Sequence, residues 1–167
     1  MRKIKYIVIH CTAAPINQQT SVIQAFWRSK GWKTDGYHRL IGKSETEQLV
    51  PFDKISNGVL GFNQEIINIC YKGGDSKGTD TRTEFQKQEI LDSIRLALEW
   101  CAKHHTPEEL AQIRILGHRD FSKDLNRDGK ISKNEWEKTC PCFDAEPEYA
   151  WIVGHDALKK IGKSIKY

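Results

Sequence analysis

Apolar residues recur at two different spacings along this chain, and the switches between them mark out one series of elements. Residues 3–9, KIKYIVI, alternate and then run continuously apolar and β-branched, which predicts a largely buried central strand with His10 at its C-terminal end. In TSVIQAFWRSKGW, Val22, Ile23, Phe26 and Trp27 fall at helical spacing, with Thr20 or Ser21 as the cap and Gly31 as the stop. GYHRLIG and EQLVPF read as two strands joined by the polar turn KSET, a hairpin, and EIINICYKGG as a further strand closed by a glycine pair. The clearest element is TRTEFQKQEILDSIRLALEWCAKHH. Thr83 and Gln86 form a capping box, and Phe85, Ile90, Ile94, Ala97, Leu98 and Cys101 share one helical face. His104 and His105 close that helix, where its dipole favours positive charge. A short strand, IRIL, leads to GHRD, and EPEYAWIVGHDALKKIGKSI predicts a final helix or two. Strands and helices alternate without repeat or linker, so residues 1–167 read as one α/β domain.

Composition narrows this without redirecting it. A chain of 167 residues can bury a sizeable core, and 38% hydrophobic with 29% charged residues is ordinary for a soluble protein. No apolar run reaches the ~18 residues of a membrane span. The apolar part of MRKIKYIVIHC is too short for a signal-peptide core and lacks a small-residue cleavage site, so the expected location is the cytoplasm in which the chain is synthesised. The formal charge of +4 suits an anionic partner, but the 26 basic residues are scattered and form no nucleic-acid footprint. Five cysteines, an odd number, argue for packing or metal binding rather than a disulfide framework.

The candidate chemistry gathers at one edge of the predicted sheet. His10 ends a strand, His118 follows one, and Cys140 lies in a loop soon after, so the three can converge although distant in sequence. Two imidazoles and a thiolate suit Zn²⁺ with one position left for water, the catalytic rather than the structural pattern. Cys142, one proline beyond Cys140, is the rival thiol; a chelate through both sulfurs is awkward with a single residue between them. Cys11 alternates away from His10 and is expected in the core.

YIVIHCTA, GYHRLI, GHRD and KTCPCFD, in that order over residues 4–144, resemble the zinc-dependent N-acetylmuramoyl-L-alanine amidases of the phage-lysozyme type, whose fold is shared by peptidoglycan recognition proteins. The resemblance implies a central mixed β-sheet flanked by helices, with zinc in a groove along one face. It puts the zinc ligands on His10, His118 and Cys140, the catalytic tyrosine on Tyr37 and the catalytic lysine on Lys138. His38, pointing opposite to Tyr37, is expected to be structural. The implied partner is peptidoglycan or a muropeptide, cut by a monomer at the amide between N-acetylmuramic acid and L-alanine, with no nucleic acid and no membrane involved. Release to the cell wall in the manner of phage lysins fits a chain made in the cytoplasm. The alternative is a recognition module that binds muropeptides without cleaving them, though such relatives usually lack a zinc ligand. Two departures stand out: Cys70 where some members carry a glutamate base, and Asn68 where glycine is usual, with Gly58 near where histidine is usual. They leave the metal set intact and bear on how substrate is held.

DLNRDGKISKNE, residues 124–135, matches an EF-hand loop. Asp124, Asn126 and Asp128 take positions one, three and five, Gly129 the turn at six, Lys130 the carbonyl at seven, Ser132 the ninth and Glu135 the twelfth. The expected ion is a structural Ca²⁺ steadying the backbone that presents Lys138 and Cys140. Flanking helices are short or missing, and an Asp/Asn/Gly-rich turn explains the same composition.

Overall fold

The structure, a computed structural model, describes residues 2–153. Strand β1 (Tyr6–Cys11) is the apolar run, and every residue from Ile7 to Cys11 is buried. The hairpin pairs β2 (Arg39–Ile41) with β3 (Thr46–Gln48) antiparallel, whereas β4 (Ile66–Tyr71) and β5 (Arg114–Gly117) lie parallel on either side of β1. The five strands form one mixed sheet in the order β3-β2-β4-β1-β5. A strand with parallel neighbours on both sides must have both faces covered, which is why β1 and β4 read as continuous apolar runs rather than alternating ones.

Among the described residues four helices accompany the sheet: α1 (Thr20–Ser29), α2 (Glu84–Ala102), α3 (Pro107–Ala111) and α4 (Ala145–Tyr149). The capping box of Thr83 and Gln86 opens α2 as predicted. Ile90, Ile94, Ala97, Leu98 and Cys101 of α2 pack with Ile7, Ile9, Ile67, Ile69 and Tyr71 into the main core, which also takes in Ala145 and Tyr149 of α4. Fully burying one such isoleucine contributes about 1.5–3 kcal/mol. Phe85 of the predicted face stays at its exposed edge. Val8, Ile66 and Val59 make a smaller cluster on the other side of the sheet.

Some local expectations change. The α1 cap is Gln19, which makes no side-chain bond, because the Thr20 hydroxyl is engaged by Lys72 Nζ at 3.0 Å and by the Glu47 carboxylate. Only Trp27 of α1 is buried, while Val22 and Phe26 face outward. His105 is a hydrogen-bond clasp rather than a charge on the helix dipole: its Nε2 accepts the Ile4 N–H at 2.8 Å and its Nδ1–H reaches the Cys101 carbonyl at 3.1 Å. His104 packs against Trp100, with ring centroids 4.7 Å apart. Of the predicted terminal helices, α4 and a 3₁₀ turn at Ala150–Ile152 are observed, and the remainder lies outside the described residues. Among the described residues no helix is long and apolar enough to cross a membrane.

Candidate metal centre

The pleat of the sheet decides which side chains meet. Ile7, Ile9 and Cys11 of β1 join the core under α2, so Val8 and His10 project to the opposite face. On β4 the same rule sends Ile67, Ile69 and Tyr71 inward and leaves Asn68 and Cys70 beside Val8 and His10, their ladder partners. β5 ends at Gly117, which pairs with Ile9, so His118 leaves the sheet next to His10.

Cys140 reaches the same corner from a loop that is pinned by hydrogen bonds. Arg119 N–H donates to the Cys140 carbonyl at 2.8 Å, and the Tyr71 hydroxyl donates to the Pro141 carbonyl at 2.7 Å. The Cys11 N–H points at Cys140 Sγ from 3.2 Å. The approach is close enough that a Cβ on Gly117 would lie 2.5 Å from Pro141 Cδ.

His10 Nδ1 and His118 Nδ1 are 3.2 Å apart, Cys140 Sγ is 3.9 Å from His10 Nδ1, and all three ligand atoms lie within 4.8 Å of one another. With Zn–N bonds of about 2.0–2.1 Å, two nitrogens on a tetrahedral ion sit roughly 3.3 Å apart, so the two imidazoles are spaced for Zn²⁺, with the sulfur a few tenths of an ångström farther out than a bound thiolate. Among the described residues no fourth His, Cys, Asp or Glu joins the group. The protonation states fit as well. Burial, with the neighbouring His118 and Lys138 charges adding to it, holds the His10 pKa well below the ordinary imidazole value. Burial followed by the Lys138 ammonium takes His118 down to about 4. Both rings are therefore neutral at pH 7, the form that ligates.

The corner opens into a cleft of about 530 Å³ lined by Tyr37, Trp27, Trp32, Trp136 and Lys138 together with His118 and Cys140. It continues past His118 into a second arm of about 370 Å³ between Leu60 and Phe121. The Tyr37 ring lies 5.0 Å from His10 and 5.3 Å from Trp27, centroid to centroid. Burial, reinforced by the sulfurs of Cys70 and Cys140, pushes its phenol well above the ordinary tyrosine value. At neutral pH it is a hydrogen-bond donor rather than a base. Cys70 is likewise pushed up by burial and stays a neutral thiol, so it cannot replace a glutamate base. Lys138 is exposed on the cleft wall, and Glu137 lines both arms beside it. Sequence reasoning did not single out Glu137 or Trp136, to which only nearness to the Lys-x-Cys motif pointed, and it placed Trp27 only on the face of a helix.

His38 is buried and bonded on both ring nitrogens, away from the metal-ligand atoms, which matches its expected structural part. Cys142 lies in the core with its sulfur 3.6 Å from that of Cys11, outside the ligand group.

The 124–135 loop is organised differently. Asp124 accepts the N–H groups of Arg127 and Gly129 at 2.6 and 2.8 Å, Asn126 that of Asp128 at 2.9 Å, and Asp128 that of Lys130 at 2.8 Å. Glu135 accepts from Leu125 N, Asn126 N, Ser132 N and the Ser132 hydroxyl at 2.7–3.2 Å. The Ser132 donors come first among the causes that take its carboxyl down to about 2. Gly129 has φ +82°, as the sixth loop position requires. A 3₁₀ turn, His118–Phe121, precedes the loop, and a second, Lys133–Glu135, forms its last three residues. Among the described residues the Asp124, Asp128 and Glu135 carboxylates form no second convergent group.

A family model described as N-acetylmuramoyl-L-alanine amidase matches residues 1–143. An uncharacterized protein of Haemophilus influenzae is 37% identical over 99 residues, 59% of this chain and 78% of that one. The endolysin of Thermus scotoductus bacteriophage Ph2119 superposes with a TM-score of 0.64 at 22% identity, covering 93% of this chain and 88% of that one. A point variant of Drosophila PGRP-LB in complex with tracheal cytotoxin gives a TM-score of 0.63 at 15% identity, covering 93% and 85%. At such identities the two structures bear on the fold alone.

Proposed function

Because this chain belongs to the N-acetylmuramoyl-L-alanine amidase family, we propose that it hydrolyses the amide between N-acetylmuramic acid and L-alanine in peptidoglycan, with zinc held by His10, His118 and Cys140. The observation that carries this reading is the convergence of those three ligand atoms within 4.8 Å, with no fourth His, Cys, Asp or Glu among the described residues. When bound, Zn²⁺ supplies Lewis-acid chemistry, polarising the amide carbonyl and acidifying water. The rest falls to the chain's own side chains. Lys138 carries a positive charge on the cleft wall, suited to stabilising the negative charge that develops on the carbonyl oxygen. Tyr37, kept protonated, donates a hydrogen bond that orients the attacking water or the substrate carbonyl. Two carboxylates line the cleft, Asp75 and Glu137; Asp75 Oδ1 is taken up by the Lys77 and Thr79 N–H groups, which leaves Glu137 as the better placed to take up a proton. The aromatic walls exclude water, which strengthens each of these interactions.

The competing reading, a recognition module, is favoured by the likeness to a tracheal-cytotoxin-binding protein but leaves the complete ligand set without a purpose. Mass spectrometry of muropeptides incubated with the protein separates the two. Free stem peptide that disappears with a zinc chelator supports hydrolysis; tight binding with no product supports recognition. The structural Ca²⁺ reading of 124–135 rests on residue spacing alone. A calcium titration that leaves the thermal midpoint unmoved retires it.

A further inference from the structure

Four buried polar groups form an unbroken chain behind the metal corner: His10, Asn68, Ser56 and His38 are each 0% exposed. His10 Nε2 is 2.8 Å from Asn68 Oδ1, Asn68 Nδ2 is 2.8 Å from Ser56 Oγ, and Ser56 Oγ is 2.9 Å from His38 Nδ1. Main-chain groups set the His38 tautomer, with Arg2 Nη1 also 3.2 Å from His38 Nε2. The Asn68 N–H donates to His38 Nδ1 at 2.9 Å, so that nitrogen is bare, and His38 Nε2–H donates to the Lys54 carbonyl at 3.1 Å. Asn68 Nδ2–H donates to Ser56 Oγ, and Asn68 Oδ1 faces His10. His10 Nε2 therefore carries the proton, and its Nδ1, 3.2 Å from His118 Nδ1, presents a lone pair.

Space for this arrangement comes from Gly58. A Cβ there would lie 2.2 Å from Asn68 Cγ and Oδ1 and 2.4 Å from Nδ2. Asn68 occupies the room that a side chain at 58 would need, so Asn68 and Gly58 are sterically matched. They lie behind the metal-ligand histidine.

We infer that Asn68, seated against Gly58, is the positioning residue of the metal centre: it locks His10 as the Nε2–H tautomer so that Nδ1 faces the ion. The inference rests on the zinc reading above and does not depend on the amide being cut. The opposite tautomer would set a bare Nε2 against Asn68 Oδ1 and aim an N–H at the metal. Outer partners of this kind typically change metal affinity about 10- to 100-fold.

The test reads zinc affinity by competition with a chromophoric chelator, and the His10 tautomer by long-range ¹H–¹⁵N NMR on metal-free protein. Asn68→Ala is expected to weaken zinc binding about 10- to 100-fold and to mix the tautomers. Gly58→Ala should act in the same direction by displacing Asn68, while Asn68→Asp, which keeps an acceptor, should retain both properties. A folded Asn68→Ala protein with unchanged affinity and tautomer overturns the inference. Should that variant not fold, a folded Asn68→Asp protein that loses the Nε2–H tautomer, or binds zinc tenfold more weakly, overturns it instead. A wild-type protein that binds zinc in this tautomer yet releases no stem peptide would end the amidase reading and leave this one standing.

Discussion

The metal corner and the 124–135 loop are neighbours in the chain and are built on opposite plans. In the corner, ligand atoms from β1, the end of β5 and a distant loop are brought together by the sheet and, apart from the Cys11 N–H on the Cys140 sulfur, face one another. In the loop, donors contiguous in sequence satisfy one another: the Glu135 carboxylate alone accepts four hydrogen bonds. A perfect ligand spacing can thus close on itself, whereas ligands that only the fold assembles leave an ion to complete them.

Removing a corner ligand should have the largest effect. Cys140→Ser is expected to reduce zinc from one per chain to background and to cut hydrolysis more than about 1000-fold, while Cys142→Ser keeps its zinc. Metal analysis showing the reverse pattern would reassign the sulfur ligand. Next come the cleft groups that do not hold metal. Lys138→Ala and Tyr37→Phe should each lower kcat about 100- to 1000-fold with zinc content unchanged; parallel kinetics and metal analysis check this.

Acid separates the two regions. The buried histidines bind protons less readily folded than unfolded, so their contribution is present above the unfolded value near 6.5 and is lost as pH falls through about 4, the His118 value. Glu135 is depressed from 4.5 to about 2, so its contribution survives to lower pH and is lost only within that window. Denaturation midpoints of metal-free protein should therefore start to fall below pH 6.5, with loop amide signals persisting at pH 4. Loss of the loop signals first would reverse the comparison. The smallest effect is expected from Glu135→Gln, which should lower the thermal midpoint by a few degrees and leave zinc affinity alone. An equal loss of zinc would mean that the loop does govern the corner.

What could be read from the sequence follows the same division. Period and capping disclosed β1, β4 and α2, since burial on both faces and the Thr83–Gln86 box are local signals. The three residues of the candidate metal corner were legible as strand-end residues plus a motif. The α1 cap was not, because Lys72 and Glu47, remote in sequence, take the Thr20 hydroxyl. Nor was the part inferred for Asn68, which depends on the 56–58 loop and His38 arriving from two separate segments. His105 looked like a helix-end charge until the Ile4 N–H was brought against it.

Zinc K-edge X-ray absorption on the purified protein tests the central claim most directly. The account predicts two nitrogen neighbours at about 2.0–2.1 Å, one sulfur at about 2.3 Å and one light-atom neighbour that exchanges with solvent. Two sulfurs, or four protein ligands with no exchangeable position, would contradict it.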